Sequence, residues 1–226
     1  MTITATKKSV CFEHPLVKNF FVEKIPGGTS PLFPQPFIAY FTPIILKGNI
    51  VDLGCGKGIN GFLIRLSRYL QGAKLIGLEI NDDYINFCKK FNIYDQIIKQ
   101  SLPKLPFKDK SVNLILCTEV IEHLTRKDGL TLLDEIDRVC QGRVIITTPN
   151  TFFETMPGDP EDKHLSIWSI KDFKSRGYKV YGIGLKMPLL WGDKFLKIKQ
   201  ALYYFFTPIS YIFPFISGSL IAVKDF

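Results

Sequence analysis

The sequence predicts an α/β fold: an open, mostly parallel sheet with helices on both faces. Three observations carry that prediction. Short, continuous Val/Ile/Leu runs alternate with amphipathic stretches through the middle of the chain, as expected of strands buried on both faces. Strand, helix and strand recur at the spacing of βαβ units. A glycine-rich turn, Gly54-Cys55-Gly56-Lys57-Gly58, closes the first run, and ligands of such sheets bind just beyond the carboxyl ends of strands.

In chain order, residues 49–54 read as a first buried strand and 59–70 as an amphipathic helix. A second strand over 74–80 and a helix over 82–91 follow, then a weaker third strand over 96–100. Residues 111–119 form a fourth strand, a helix lies near 128–138, and 143–149 form a fifth strand. Beyond 150 a Pro/Asp/Glu-rich loop (151–164) leads to a helix over 169–177, with strands over 178–184 and 219–224. Pro31, Pro34 and Pro36 break any long helix ahead of the first strand.

The 226 residues suit one domain, residues 1–226. Within it, 1–47 read as an N-terminal cap, 48–184 as a ligand-binding core, 185–217 as an apolar lid and 218–226 as the last strand. Five scattered cysteines with no CxxC pair argue against a disulfide framework or a structural zinc site, so a reducing, cytoplasmic setting is expected. The first fifteen residues hold no apolar stretch of signal-peptide length. The net charge of +8 is concentrated between Lys163 and Lys199, which points to a phosphate-bearing substrate or an anionic membrane surface. Ala201 to Val223 contain no charged residue. Pro208, Pro214 and Gly218 argue against a spanning helix there, and a lid or a membrane-surface contact over 201–217 is the expectation, peripheral to the inner face of the membrane.

Asp52 precedes the glycines at the strand end, so the ligand near it should carry an amine or hydroxyl rather than a pyrophosphate. Glu79, at the tip of the second strand, is suited to accept both hydroxyls of a ribose, with Asn81 assisting.

VDLGCGKG (51–58), GLEIN (77–81), LPF (105–107), NLILCTEVIEHL (113–124) and VIITTPN (144–150) together resemble the successive motifs of class I S-adenosylmethionine (SAM)-dependent methyltransferases. The resemblance runs over roughly residues 48–184. It implies a Rossmann-like three-layer α/β/α sandwich whose sheet has seven strands, the last antiparallel, and it implies SAM as the cofactor. Carried over motif by motif, Gly54, Cys55, Gly56 and Gly58 pass the methionine part of SAM, with Asp52 ordering that loop. Glu79 holds the ribose and Ile80 meets the adenine. Ser101, with Leu102, stands where an acid is usual, and Cys117, Thr118 and Glu119 close the site. Asn113 replaces a usual Asp as a tolerated surface change.

His123, just past the fourth strand, is the candidate catalytic residue, as general base or acceptor anchor. The leading expectation is methyl transfer to an O, N or C atom of a small apolar or amphiphilic metabolite, with no metal. Glu119, Glu122, His123 and His164 also resemble the metal-binding set of small-RNA 2′-O-methyltransferases, which makes metal-assisted RNA methylation the alternative. A SAM-binding partner subunit without catalysis is the third reading.

Overall fold

The computed structural model describes residues 35–150, 163–186 and 196–226. Expectations placed on 1–34, 151–162 and 187–195, including Pro31, Pro34 and much of the cap and lid, lie outside them. The elements are α1 (Gln35–Phe41), β1 (Ile45–Leu46), β2 (Asn49–Leu53), α2 (Ile59–Ser67), β3 (Tyr69–Leu70), β4 (Lys74–Glu79), α3 (Asp82–Lys90) and β5 (Gln96–Lys99). There follow β6 (Val112–Thr118), a 3₁₀ turn (Ile121–His123), α4 (Arg126–Val139), β7 (Cys140–Pro149), α5 (Ile170–Lys174) and β8 (Lys179–Leu185). The chain ends with α6 (Leu196–Phe205), α7 (Thr207–Ile212), a second 3₁₀ turn (Pro214–Ile216) and β9 (Ser217–Asp225).

Seven strands form one sheet in the order β5-β4-β2-β6-β7-β9-β8. β9 runs antiparallel to both β7 and β8, and the remaining pairs are parallel. This is the seven-stranded, mostly parallel sheet that the resemblance implied. The order steps outward from β2 to β4 on one side and to β6 on the other, so β2 and its glycine turn stand at the switch point where a crevice opens.

Each face of the sheet carries its own apolar layer. Val51, Leu53, Ile115 and Ile146 pack with Leu132, Leu133 and Ile136 of α4 and with Trp168 and Phe173 on one side. Ile50, Leu75, Leu114 and Ile145 pack with α1, α2, α3 and Tyr203 on the other. The strands read as unbroken apolar runs because both faces are covered.

Three of the helices begin at side-chain caps. Asn81 accepts from the backbone N–H groups of Asp83 and Tyr84 to start α3, whose first turn is acidic and last turn basic, complementing the helix dipole. Thr125 caps α4, and Ser169 with Asp172 forms a reciprocal capping box on α5.

Three expectations change. Residues 69–70 do not continue α2; they pair in parallel with β1 as a separate two-stranded sheet. Pro36 sits in the first turn of the seven-residue α1, where its missing N–H costs nothing, so the short helix is compatible with the expected break of a long one. β7 starts at Cys140, directly at the end of α4, because the edge residues 140–143 still find ladder partners. Asn113 is not a passive surface change: its Oδ1 accepts from the Asn49 backbone at 3.1 Å and locks the entry of β2 to β6.

Candidate functional site

The glycine turn leaves β2 with Gly54, Gly56 and Gly58 at φ 61°, 51° and 77°. These are left-handed values that side chains disfavour. A Cβ on Gly56 would meet no atom within 4 Å, so its face of the turn looks into open space at the mouth of the crevice. The turn is held by Glu79. Its Oε2 accepts from Gly56 N at 2.8 Å, and its Oε1 accepts from Ile80 N at 2.8 Å and Asn81 N at 2.9 Å. The carboxylate is buried at 7% exposure and ties the end of β4 to the turn after β2. Three backbone donors leave roughly one of its four lone-pair positions for a ligand hydroxyl.

Asp52 does not order the turn by hydrogen bonding. Its carboxylate is fully buried and accepts from Tyr94 Oη at 2.6 Å and, at 3.5 Å, from Asn60 Nδ2. Asn60 Nδ2 also donates to Thr118 Oγ1 at 2.9 Å, which links β2, α2 and β6 beneath the turn. Burial raises the Asp52 pKa from 3.8 to about 7, opposed by the Tyr94 and Asn60 bonds and aided by the Glu79 charge. The raised value means that the folded chain holds the proton where the unfolded chain has lost it. Asp52 therefore costs stability progressively as pH rises from about 4 to about 7.

A cationic ligand reverses that preference, because it favours the charged carboxylate. SAM affinity is therefore expected to tighten by up to about tenfold between pH 6 and pH 8. Asp52→Asn should flatten most of that slope in calorimetric titrations. An unchanged slope would assign the titration to Glu119 instead.

Glu119, the first residue past β6, has φ 54°. Burial raises its pKa to about 7, opposed by Thr147 and Glu122 beside it. Cys117 is wholly buried and its thiol is pushed up by burial; the Cys55 thiol is pushed up by its hydrogen bond to Cys88 and by burial. Neither is suited to nucleophilic work. Ile80 is 57% exposed beside the turn, an open apolar surface for a flat ring. Asn81 directs its side-chain oxygen to the start of α3, so its contribution to a ligand falls to its backbone. Ser101 is exposed and Leu102 half-buried beyond β5, on the same edge.

On the other side of the switch point the chain from 163 to 168 is strapped onto the 3₁₀ turn. Leu165 N and Ser166 N both donate to Glu122 O, and Trp168 Nε1 and Ser166 Oγ donate to Ile121 O. Trp168 is fully buried, with the Arg126 guanidinium 4.0 Å over its ring. The strap brings His164 to His123, ring centroids 5.0 Å apart and edge-on. His123 Nδ1 lies 3.3 Å from the Lys163 carbonyl, and Thr148 Oγ1 donates to Glu122 Oε2 at 3.1 Å. Glu122, His123 and His164 offer ligand atoms within 4.8 Å of one another. Glu119 adjoins this group through Glu122.

Asn60, Tyr94 and Thr148 were not singled out as functional by the sequence. Asn60 alone carried a local signal, as a polar residue two places past the last motif glycine. Tyr94 and Thr148 reach the site only through the sheet.

The residues fit SAM. Three acids, Asp52, Glu79 and Glu119, line the strand ends, and none of them forms an ion pair among the described residues. Such a crevice favours a ligand with a sulfonium and an ammonium group, and Gly56 leaves room for it to touch backbone.

Residues 51–146 match the family described as a methyltransferase domain. A curated relative, an uncharacterized protein of Methanocaldococcus jannaschii, is 29% identical over 139 residues, covering 59% of this chain and 57% of its own length. A fatty-acid O-methyltransferase of Mycolicibacterium smegmatis is 34% identical over 92 residues, covering 40% of this chain and 32% of its own. This chain thus spans about half and about a third of those relatives. A SAM-dependent methyltransferase of Archaeoglobus fulgidus superposes with TM-score 0.53 at 18% identity, over 85% of this chain and 90% of that one, a likeness of fold.

Proposed function

We propose that this chain, whose residues 51–146 match a methyltransferase domain, is a class I SAM-dependent methyltransferase that methylates a small amphiphilic acceptor. The observation that carries the acceptor class is the apolar surface of the C-terminal segment. Phe205, Ile212 and Phe215 are 75%, 69% and 66% exposed, with Leu202, Ile209 and Phe213 beside them. Exposed apolar area of this extent marks a contact surface. The segment adjoins the crevice: Tyr203 packs at Gly184 and feels the Glu119 charge, and Asn150 Nδ2 donates to the Pro214 and Ser217 carbonyls. The relative that methylates fatty acids supports an acyl-chain acceptor.

The cofactor supplies an already activated methyl group, so the protein's work is positioning. Glu79 and the glycine turn hold the nucleoside and backbone-facing parts. His123 is the catalytic residue we assign: it touches the acceptor and fixes the receiving atom in line with the methyl group. The 196–217 segment covers the acyl part as a lid. Among the described residues no helix is long and apolar enough to cross a membrane, and the segment's apolar face with its basic flank suits the inner membrane surface from the cytoplasm. Methylation of an RNA 2′-hydroxyl is the second reading, favoured by the Glu122–His123–His164 cluster.

The test is transfer of labelled methyl from SAM to separated lipid and RNA extracts. Label in the lipid fraction is expected. His123→Ala should keep SAM affinity and lower turnover at least about tenfold, the lower end of what positioned acid–base or anchoring groups contribute. Label confined to RNA selects the second reading, and no label in either fraction, with SAM binding intact, leaves the chain a SAM-binding partner subunit.

A further inference from the structure

We propose that the slot between α1 and α2 binds a short, straight-chain hydroxy acid, with its carboxylate at Arg68 and its hydroxyl at Gln35 and Asn60. The two helices enclose a cavity floored by Leu116 of β6, with Ile38 and Leu63 among its apolar walls. Its inner space of about 20 Å³ exceeds the roughly 10–15 Å³ that one water needs. With its mouth included, the empty space is about 260 Å³.

Three polar side chains line this slot with hydrogen-bonding atoms that have no partner among the described residues. Gln35 and Asn60 are 4% and 5% exposed. Both side-chain polar atoms of Gln35 are nevertheless unpaired, as are Oδ1 of Asn60 and Nε of Arg68. Buried polar atoms of a folded chain are almost always paired, and each one left over costs stability. Four of them around one cavity mark a place that serves a ligand rather than the fold.

The ligand's chemistry follows from where these groups stand. α1 leads into β1 and α2 into β3, and those two strands pair, so the ends of the helices meet there. Arg68 donates to the Ala39 carbonyl in the last turn of α1, which leaves Gln35, at the start of α1, on the side of Asn60. The Arg68 guanidinium is held by the Ser67 and Ala39 carbonyls and has no acidic partner among the described residues. Its end of the slot therefore favours a carboxylate. At the other end the Gln35 amide and Asn60 Oδ1 offer a donor and acceptors without net charge, which a hydroxyl matches.

The length agrees. From Asn60 to Arg68 the helix rises about 12 Å. An extended hydroxy acid of about four carbons measures about 6 Å between its end oxygens, and a hydrogen bond of about 3 Å at each end makes up the rest. Asn60 also donates to Asp52 and Thr118 beneath the glycine turn, so the hydroxyl end lies on the cofactor side. Binding in the slot does not rest on the methyl-transfer reading.

The test is calorimetric titration of the full chain with ω-hydroxybutanoate, and with butanoate and butanediol as ligands lacking one end group. One equivalent of ω-hydroxybutanoate is expected to bind, at least about tenfold tighter than either of the others. Gln35→Leu should remove the advantage over butanoate while keeping or raising the melting temperature, because leucine leaves no buried amide unpaired. Lost binding in that variant is then not lost fold. Arg68→Gln should remove the advantage over butanediol. Absence of stoichiometric binding, or unchanged preferences in Gln35→Leu, overturns the proposal and makes the slot a hydrated gap. SAM titrated in parallel separates the two readings: SAM binding without hydroxy-acid binding removes this site alone, and the reverse removes the methyl-transfer reading alone.

Discussion

Glu79→Ala is expected to weaken SAM binding by more than about 100-fold and to lower the melting temperature as well. The carboxylate performs two jobs in one place. It accepts from Gly56 N, Ile80 N and Asn81 N, and it is the strand-end acid we propose for the ribose. A hydrogen bond to a charged group is worth about 1.5–3 kcal/mol, and a buried donor left unmade carries its own penalty. Losing the ligand bond and the anchor of the turn together therefore exceeds about 3 kcal/mol, or more than two decades in affinity. Titration calorimetry with SAM reads the first effect and thermal unfolding of the unliganded chain the second. A fall in melting temperature with unaltered SAM affinity would make Glu79 a structural clamp only. Glu79→Gln, which keeps one carbonyl acceptor, should fall between the two.

Gly56→Arg is expected to abolish detectable SAM binding while leaving the fold largely intact. A Cβ at 56 clashes with nothing, so the substitution is not a packing fault. The left-handed φ of 51° costs about 1–2 kcal/mol for a residue with a side chain. The arginine then occupies the open face of the turn and places a positive charge where a sulfonium and an ammonium group would lie. Gly58, two residues on, offers the contrasting case. A Cβ there would lie 2.9 Å from Ile93 and 3.1 Å from Cys88 Sγ, so Gly58→Ala should lower stability before it affects the ligand. The pair separates binding from folding within one loop: Gly56→Arg with ordinary SAM affinity would place the cofactor elsewhere.

The strands and the glycine turn were legible because their signals are local. A buried parallel strand needs an unbroken apolar run, and a turn that brings backbone to a ligand needs residues without a Cβ. Glu79 was legible as well, from its distance past the turn. Its clamp on Gly56 was not, since that bond joins two strands neighbouring in space and 23 residues apart in sequence.

Asp52 shows the same limit from the other side. Its position was readable, yet its partners Tyr94 and Asn60 come from different elements, and its raised pKa follows from complete burial. Residues 69–70 were misread because two strand residues leave too short a pattern to interrupt a helical one. His123 and His164 lie 41 residues apart, and only the backbone bonds from the strap to Glu122 O and the seating of Trp168 bring their rings together.

By itself the sequence determined the order of strands and helices, the switch-point crevice and the acids at the strand ends, because each is written in residues that are neighbours or one βαβ unit apart. The tertiary structure alone decided the insertion of β9 between β7 and β8 and the assignment of Asp52 and Glu79 to separate tasks. Those depend on which segments sheet pairing and burial press together, and no local pattern encodes that.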